Sequence, residues 1–134
     1  MPNQDFLTRF AAGTLAPETF DHAAHIRAAF LLLQSMPFLE ACIAMREGLR
    51  KIAAKAGKPN LYHETITVAF MAIVAGRIAQ GIAGWEALVA TQHDLFDRAL
   101  MQRYYSNELL SSLQARSHFV LPDRLQAPVL MEPA

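Results

Sequence analysis

The chain of 134 residues has a single cysteine, Cys42, and so lacks the thiols that covalent cross-links and many metal sites require. One cysteine excludes an intramolecular disulfide framework and a metal cage built from thiolates. Because Cys42 stands among alanines, we interpret it as a buried side chain without chemistry of its own. The length fits one domain, residues 1–134, which can bury an adequate core without such staples.

Charged residues are also scarce. They make up 18% of the chain, below the usual quarter or so, whereas apolar residues make up 53% and the net charge is zero. A neutral chain without a basic stripe predicts no nucleic-acid partner and no anionic membrane surface. The low charge is consistent with a homo-oligomer that hides part of its surface.

Long apolar runs are missing as well. No run approaches the roughly 20 residues that span a bilayer, and the chain does not open with a basic segment followed by an apolar one. We therefore expect a soluble cytoplasmic protein that has no membrane partner.

Alternation of apolar and polar residues with period two is almost absent, which makes strands improbable, whereas apolar residues recur every three to four positions. This pattern predicts an all-α fold, an antiparallel helical bundle of four main helices plus short terminal helices. The core covers about residues 20–120, and the prolines of residues 121–134 predict an extended tail. The six predicted helices cover about residues 3–12, 37–56, 61–80, 85–105 and 107–119, together with a second helix that starts near residues 19–21 and runs to about residue 34.

Short loops place neighbouring helices antiparallel, so the second and fourth predicted helices begin at the end of the bundle where the fifth one finishes. His22 and His25 lie three apart at the start of the second helix and share its apolar face. His63 stands at the start of the fourth helix, and Tyr104 at the end of the fifth. We therefore expect these four side chains to converge.

Three histidines at one place favour a metal site. Neutral imidazole is a common ligand of zinc, copper, nickel and iron. His22, His25 and His63 form the smallest set that holds a catalytic metal with an open position. Glu64 is the candidate for a fourth ligand or for a group that orients a ligand. The predicted cofactor is one divalent transition metal of unspecified identity.

Two alternatives without metal remain open. In the first, His25 and His63 act as bases and Tyr104 as a proton donor, or the same groups bind a small, anionic molecule. In the second, the histidines only tie helix ends to loops, and the protein is structural or an interaction partner. The further candidate ligand-binding residues, chosen for their charge or hydroxyl groups near this end of the bundle, are Arg27, Tyr105, Ser112 and Arg116.

Five runs between about residues 20 and 123 are specific as a set: Phe20-Asp21-His22-Ala23-Ala24-His25-Ile26-Arg27-Ala28-Ala29, Tyr62-His63-Glu64-Thr65-Ile66-Thr67, Tyr104-Tyr105-Ser106, Ser112 with Ala115-Arg116, and Phe119-Val120-Leu121-Pro122-Asp123. In these segments the chain resembles an uncharacterised family of small bacterial all-helical proteins. The resemblance implies that the histidine and tyrosine segments belong together, and it implies no particular activity. Whether the protein is an enzyme is therefore left open at this point.

Overall fold

The computed structural model describes residues 1–124, and this part of the chain is helical without strands. The predicted all-α class is confirmed, whereas the antiparallel arrangement of four main helices is not. The predicted tail from residue 125 onward lies outside the described residues. The α-helices are α1 (Asn3–Ala12), α2 (His22–Ser35), α3 (Phe38–Lys55), α4 (Glu64–Ala79), α5 (Trp85–Thr91), α6 (Asn107–Leu110) and α7 (Leu113–Ser117).

Local signals in the sequence determine where α2 and α3 begin and end. The Asp21 carboxylate accepts a hydrogen bond of 2.9 Å from the backbone N–H of Ala24, which caps the start of α2. At the other end, Met36 is extended, as expected for a residue before proline. Pro37 then precedes the first turn of α3, where its missing N–H costs nothing.

A close approach between α1 and α3 centres on Gly48. A Cβ atom at Gly48 would lie only 2.2 Å from Cζ of Phe10, whose ring occupies that space. Phe10 is buried and stacks on Phe20, with ring centroids 5.6 Å apart. The missing side chain of Gly48 therefore lets α1 close one side of the hydrophobic core.

The start of α2 lies beside the middle of α4. The rings of His22 and Phe70 have centroids 6.1 Å apart, and Gln34, near the end of α2, donates to the carbonyl oxygen of Ala83 just after α4. These two contacts pair α2 with the later half of α4 in the same direction. Since a helix rises 1.5 Å per residue, Phe70 stands about 10 Å along α4 from His63.

The predicted helix over residues 85–105 is wrong, because α5 ends at Thr91. Gln92 leaves the helical region (φ −107°, ψ 59°), and two short 3₁₀ turns follow, His93–Phe96 and Leu100–Arg103. The Asp97 carboxylate accepts from the N–H of Ala99 at 2.9 Å, a local bond that competes with the helix.

The predicted helix over residues 107–119 is also divided, into α6 and α7. The Ser112 hydroxyl accepts a hydrogen bond of 3.0 Å from the N–H of Ala115, so Ser112 caps a new helix. Among residues 1–124, none of the helices combines the length and the apolar character that crossing a bilayer requires.

Candidate functional site

The His63 ring is buried and bonded to the backbone at both nitrogen atoms. Its Nδ1 accepts from the N–H of Ile66 at 3.1 Å, which caps the start of α4. Because Nδ1 is the acceptor, Nε2 carries the proton, and it donates to the carbonyl oxygen of Leu110 at 2.7 Å. A metal ion or a substrate could use His63 only after one of these bonds breaks.

Glu64 is directed toward α3. One carboxylate oxygen accepts from the Tyr62 hydroxyl at 2.6 Å, and the other lies 3.4 Å from Nη1 of Arg46. Burial, followed by the hydrogen bond to Glu64, raises the pKa of the Tyr62 phenol well above its usual range. Glu64 therefore joins the start of α4 to α3, and its bonds do not involve the histidines.

His22 is the first residue of α2 and holds the segment that follows α5. Its Nε2 lies 3.2 Å from the carbonyl oxygen of Leu95, so the ring donates there. Its Nδ1 makes no hydrogen bond in the described part of the chain. This bond joins the start of α2 to the turn His93–Phe96, and we call the start of α2 together with segment 92–104 the α2 junction.

His25 lies three residues further along α2 and differs from the other two histidines. Its ring is partly buried against Phe20, with ring centroids 4.5 Å apart, and makes no hydrogen bond with any residue between 1 and 124. Burial, and then the positive charges of His22 and Arg98, outweigh the opposing effect of Asp21 and lower the pKa of His25 to about 4. At neutral pH the ring is therefore uncharged, with one N–H and one lone pair unused.

An ion pair holds segment 92–104 in place. Arg77 of α4 donates to both carboxylate oxygens of Asp94, at 2.7 and 2.6 Å, and to the Gln92 side chain at 2.8 Å. Arg103 approaches the same carboxylate at 3.7 Å. The hydrogen bonds from Arg77 lower the pKa of Asp94, and Asp94 in turn raises the pKa of Arg77. Asp94 precedes Leu95, so this pair positions the carbonyl group that His22 binds.

Tyr104 ends this segment, close enough to Arg77 for the two groups to interact electrostatically. Its ring packs partly buried against the core, and its hydroxyl makes no hydrogen bond among the described residues. Two of the three predicted acid–base residues, His25 and Tyr104, therefore have unused polar atoms, whereas His63 has none.

The four predicted ligand-binding residues are bonded within the protein at different places. Arg27 donates to the Asn3 side chain at 2.9 Å and lies over the ring of Phe6, 4.4 Å from its centroid. These contacts hold α1 against α2. The buried Tyr105 donates to the carbonyl oxygen of Val120 at 2.8 Å, which fastens the chain after α7.

Ser112 and Arg116 are likewise structural. The Ser112 hydroxyl donates to the carbonyl oxygen of Leu109 at 2.7 Å while it caps α7. Arg116 donates to the carbonyl oxygens of Asn60 and Leu61, each at 3.3 Å, and thereby joins α7 to the turn before α4. Arg116 also lines a shallow, open depression, whose other lining residues are Gly57, Lys58, Pro59, Asn60 and Leu61.

His22 and His25 share the α2 junction, whereas His63 is bonded at the start of α4. Among residues 1–124, no three histidine, cysteine, aspartate or glutamate side chains are grouped to hold a metal ion. Sequence reasoning missed Asp94 and Arg98, which belong to the junction, and Arg77 of α4, which binds Asp94. The sequence contains a signal for this segment, the charged residues within 93–98 of an otherwise apolar stretch. The prediction of a continuous helix across the stretch left that signal unused.

No known family model matches the chain, and no curated protein or solved structure is significantly similar to it. The resemblance to a family of small bacterial helical proteins therefore stays a prediction. The function has to be argued from the geometry of the α2 junction.

Proposed function

We propose that the protein binds a small polar molecule at the α2 junction, with the neutral ring of His25 as the main hydrogen-bonding group. The observation that carries this proposal is the unused imidazole of His25. A partly buried polar group without a partner within residues 1–124 calls for an explanation, and a ligand supplies one.

The other two histidines of the predicted metal site differ from His25 in this respect. His22 and His63 each donate to a backbone carbonyl, of Leu95 and Leu110 respectively, which accounts for their presence without a ligand. His25 has no such role, although it lies on the same turn of α2 as His22. A neutral imidazole offers one donor and one acceptor, which fits a hydroxyl, amide or protonated carboxyl group.

Tyr104 supports a second contact at the same junction. Its hydroxyl has no partner in the described residues, and Tyr104 ends segment 92–104, which the hydrogen bond of His22 to Leu95 joins to the start of α2. An imidazole that remains unprotonated at neutral pH can also accept a proton from a bound molecule. The proposal is therefore compatible with binding alone and with acid–base chemistry.

A thermal-shift screen with small hydroxy acids, amides and carboxylic acids tests the proposal, followed by calorimetry on the compounds that stabilise the protein. We expect stabilising compounds to bind the wild type and His118→Gln, because His118 is an exposed histidine outside the α2 junction. They should lose at least about tenfold in affinity for His25→Gln. Equal binding to His25→Gln, or no binding by any compound of the panel, would overturn the proposal.

Metal binding is the second candidate function, because His25 follows His22 by three residues on α2 and each ring has a nitrogen atom without a hydrogen bond within residues 1–124. Metal content, measured by mass spectrometry on untagged protein purified without chelator, tests it. Near-stoichiometric metal that disappears in His25→Ala and persists in His63→Asn would indicate that His22 and His25 hold the metal. Loss in both variants would indicate the predicted trio, and an absence of metal from the wild type would contradict both.

A further inference from the structure

The chain after α7 lies on the surface over residues 119–124 as a segment without helix, and we call this segment the strap. Its largest apolar side chains stay exposed, Phe119 to 41% and Leu121 to 78%. Because the strap buries little apolar surface, hydrogen bonds hold it. A segment of this kind opens at a lower free energy than the core, so the strap can detach while the rest of the domain stays folded.

The last part of the strap binds residues 104–106. The backbone N–H of Arg124 donates to the carbonyl oxygen of Tyr104 at 2.9 Å. The Asp123 carboxylate accepts two hydrogen bonds from Ser106, one from its backbone N–H at 2.8 Å and one from its hydroxyl at 2.7 Å. Asp123 therefore fastens the strap two residues after Tyr104, the residue that ends segment 92–104.

The first part of the strap is fastened through Val120. Its N–H donates to the hydroxyl oxygen of Thr65 at 3.1 Å, and its carbonyl oxygen accepts from the Tyr105 hydroxyl. Thr65, in the first turn of α4, and Tyr105 are both fully buried. Since these two anchors belong to the interior, the strap is the part that moves when the bonds open.

Segment 92–104 of the α2 junction is fixed at both ends. Its first part is held by α4 through Asp94 and by α2 through the carbonyl group of Leu95. At its last residue, the carbonyl oxygen of Tyr104 has the N–H of Arg124 as its only partner within residues 1–124. The Tyr104 side chain is only partly buried and its hydroxyl makes no bond there, so attachment of the strap determines where this hydroxyl lies.

We propose that the strap positions Tyr104 in the α2 junction, so that attachment of the strap and binding of a ligand at the junction strengthen each other. Asp123 is the positioning residue, because it accepts two of the strap's hydrogen bonds and its donor, Ser106, lies outside the proposed site. The coupling is reciprocal, so a strap that favours binding is held more firmly once a ligand is bound. The effect on binding rests on the proposed function, whereas the positioning of Tyr104 does not.

Fluorine NMR on protein labelled with 3-fluorotyrosine tests the positioning. The chain has three tyrosines, so replacing each by phenylalanine assigns every signal. We expect Asp123→Ala to shift or broaden the signal of Tyr104, and an unchanged signal of Tyr62, which makes no hydrogen bond to the strap, shows that the variant is folded. A Tyr104 signal that is the same in Asp123→Ala and in the wild type would overturn the proposal.

The matched control is Glu108→Ala. Glu108 is an exposed carboxylate at the start of α6, and its side chain forms no hydrogen bond and no ion pair within residues 1–124. All three fluorine signals should therefore stay in place in this variant. A change of the Tyr104 signal in Glu108→Ala as large as in Asp123→Ala would assign the effect to the loss of a charge and would contradict the role of the strap.

Calorimetry with glycolate, a small hydroxy acid of the screening panel, tests the coupling. Asp123→Ala should weaken binding about fivefold or more, whereas Glu108→Ala should leave it unchanged. Asp123→Asn keeps an acceptor oxygen for Ser106 and should recover part of the affinity. In a Tyr104→Phe background, Asp123→Ala should have no further effect, because the strap acts through the Tyr104 hydroxyl.

The two measurements separate this inference from the proposed function. Glycolate binding that is lost in His25→Gln and unaffected by Asp123→Ala would keep the ligand site and overturn the role of the strap. If no compound of the panel binds the wild type, the proposed function fails, and the fluorine signal of Tyr104 still decides whether the strap positions this residue.

Discussion

The side chain of His63 reaches the carbonyl oxygen of Leu110, 47 residues later in the chain, with an Nε2 to oxygen distance of 2.7 Å. The other nitrogen atom of the ring caps α4 through the N–H of Ile66. One imidazole therefore both starts a central helix and anchors the end of α6. His63 therefore has a structural role, although the sequence predicted a catalytic or metal-binding residue at this position.

His63→Ala is expected to lower the free energy of unfolding by about 2 kcal/mol, because it removes a helix cap and leaves a carbonyl group without its donor. His63→Asn should lose about half as much, since asparagine can still cap α4 but cannot reach Leu110. Urea denaturation of the three proteins measures the difference. If His63→Ala were as stable as the wild type, the two hydrogen bonds of His63 would contribute nothing to the free energy of unfolding.

Acid should destabilise the protein through His25 from about pH 6.5 downward, where carboxylates are still ionised. The pKa of His25 is about 4 in the folded protein, below its ordinary value of 6.5, so the unfolded chain binds more protons between these two values. Stability is therefore fully present above pH 6.5 and declines as the pH falls toward 4, by about 2 kcal/mol between pH 7 and pH 5.

Urea unfolding at a series of pH values checks this expectation, with His25→Gln as the variant in which the decline should vanish. Asp94 does not interfere, because its pKa lies below the ordinary 3.8 and its stabilisation is lost only below that pH. His93→Gln keeps His25 and should show the wild-type decline. The same decline in His25→Gln as in the wild type would assign it to other groups.

The first four helices could be predicted from the sequence because their boundaries depend on neighbouring residues. Asp21 and Pro37 mark the starts of α2 and α3, and the largest error is three residues, at the start of α4, predicted at residue 61 and found at 64. Capping groups and prolines act over a few residues, so a periodic pattern with such punctuation is sufficient. The end of α5 at Thr91 was not predicted, for the opposite reason: the segment that replaces the rest of the predicted helix is held through Asp94 by Arg77 of another helix.

For the candidate site too, local features could be predicted from the sequence and long-range contacts could not. The spacing of His22 and His25 correctly placed both on one turn of α2, a local property of helix geometry. His63 donates a hydrogen bond to Leu110, whereas His25 makes no hydrogen bond within residues 1–124. This difference depends on contacts between residues that are far apart in the chain. Residue type and spacing cannot separate a histidine that caps a helix from one that is available to a ligand.

The Arg77–Asp94 pair is expected to stabilise the fold and to organise the α2 junction. Both side chains are partly buried, at 19% and 30% exposure, and Arg77 donates to both carboxylate oxygens of Asp94. Asp94→Asn should lower the free energy of unfolding by about 1–3 kcal/mol, because Arg77 loses its counter-charge while partly buried. A double-mutant cycle with Arg77→Met measures the coupling between the two residues, and a coupling near zero would contradict this role.

Two glycines inside helices should respond in opposite directions to the same added methyl group. Gly48→Ala places a Cβ atom 2.2 Å from Cζ of the buried Phe10 and 2.3 Å from its Cε2, so the ring has to move within a packed core. We expect a loss of about 1–3 kcal/mol in the free energy of unfolding.

In α4, the added Cβ of Gly76→Ala has no atom within 4 Å among the described residues, so this variant should gain about 0.5–1 kcal/mol from helix propensity alone. Urea denaturation of both variants gives the comparison. An increase in stability for Gly48→Ala would mean that α1 does not pack against α3 through Phe10.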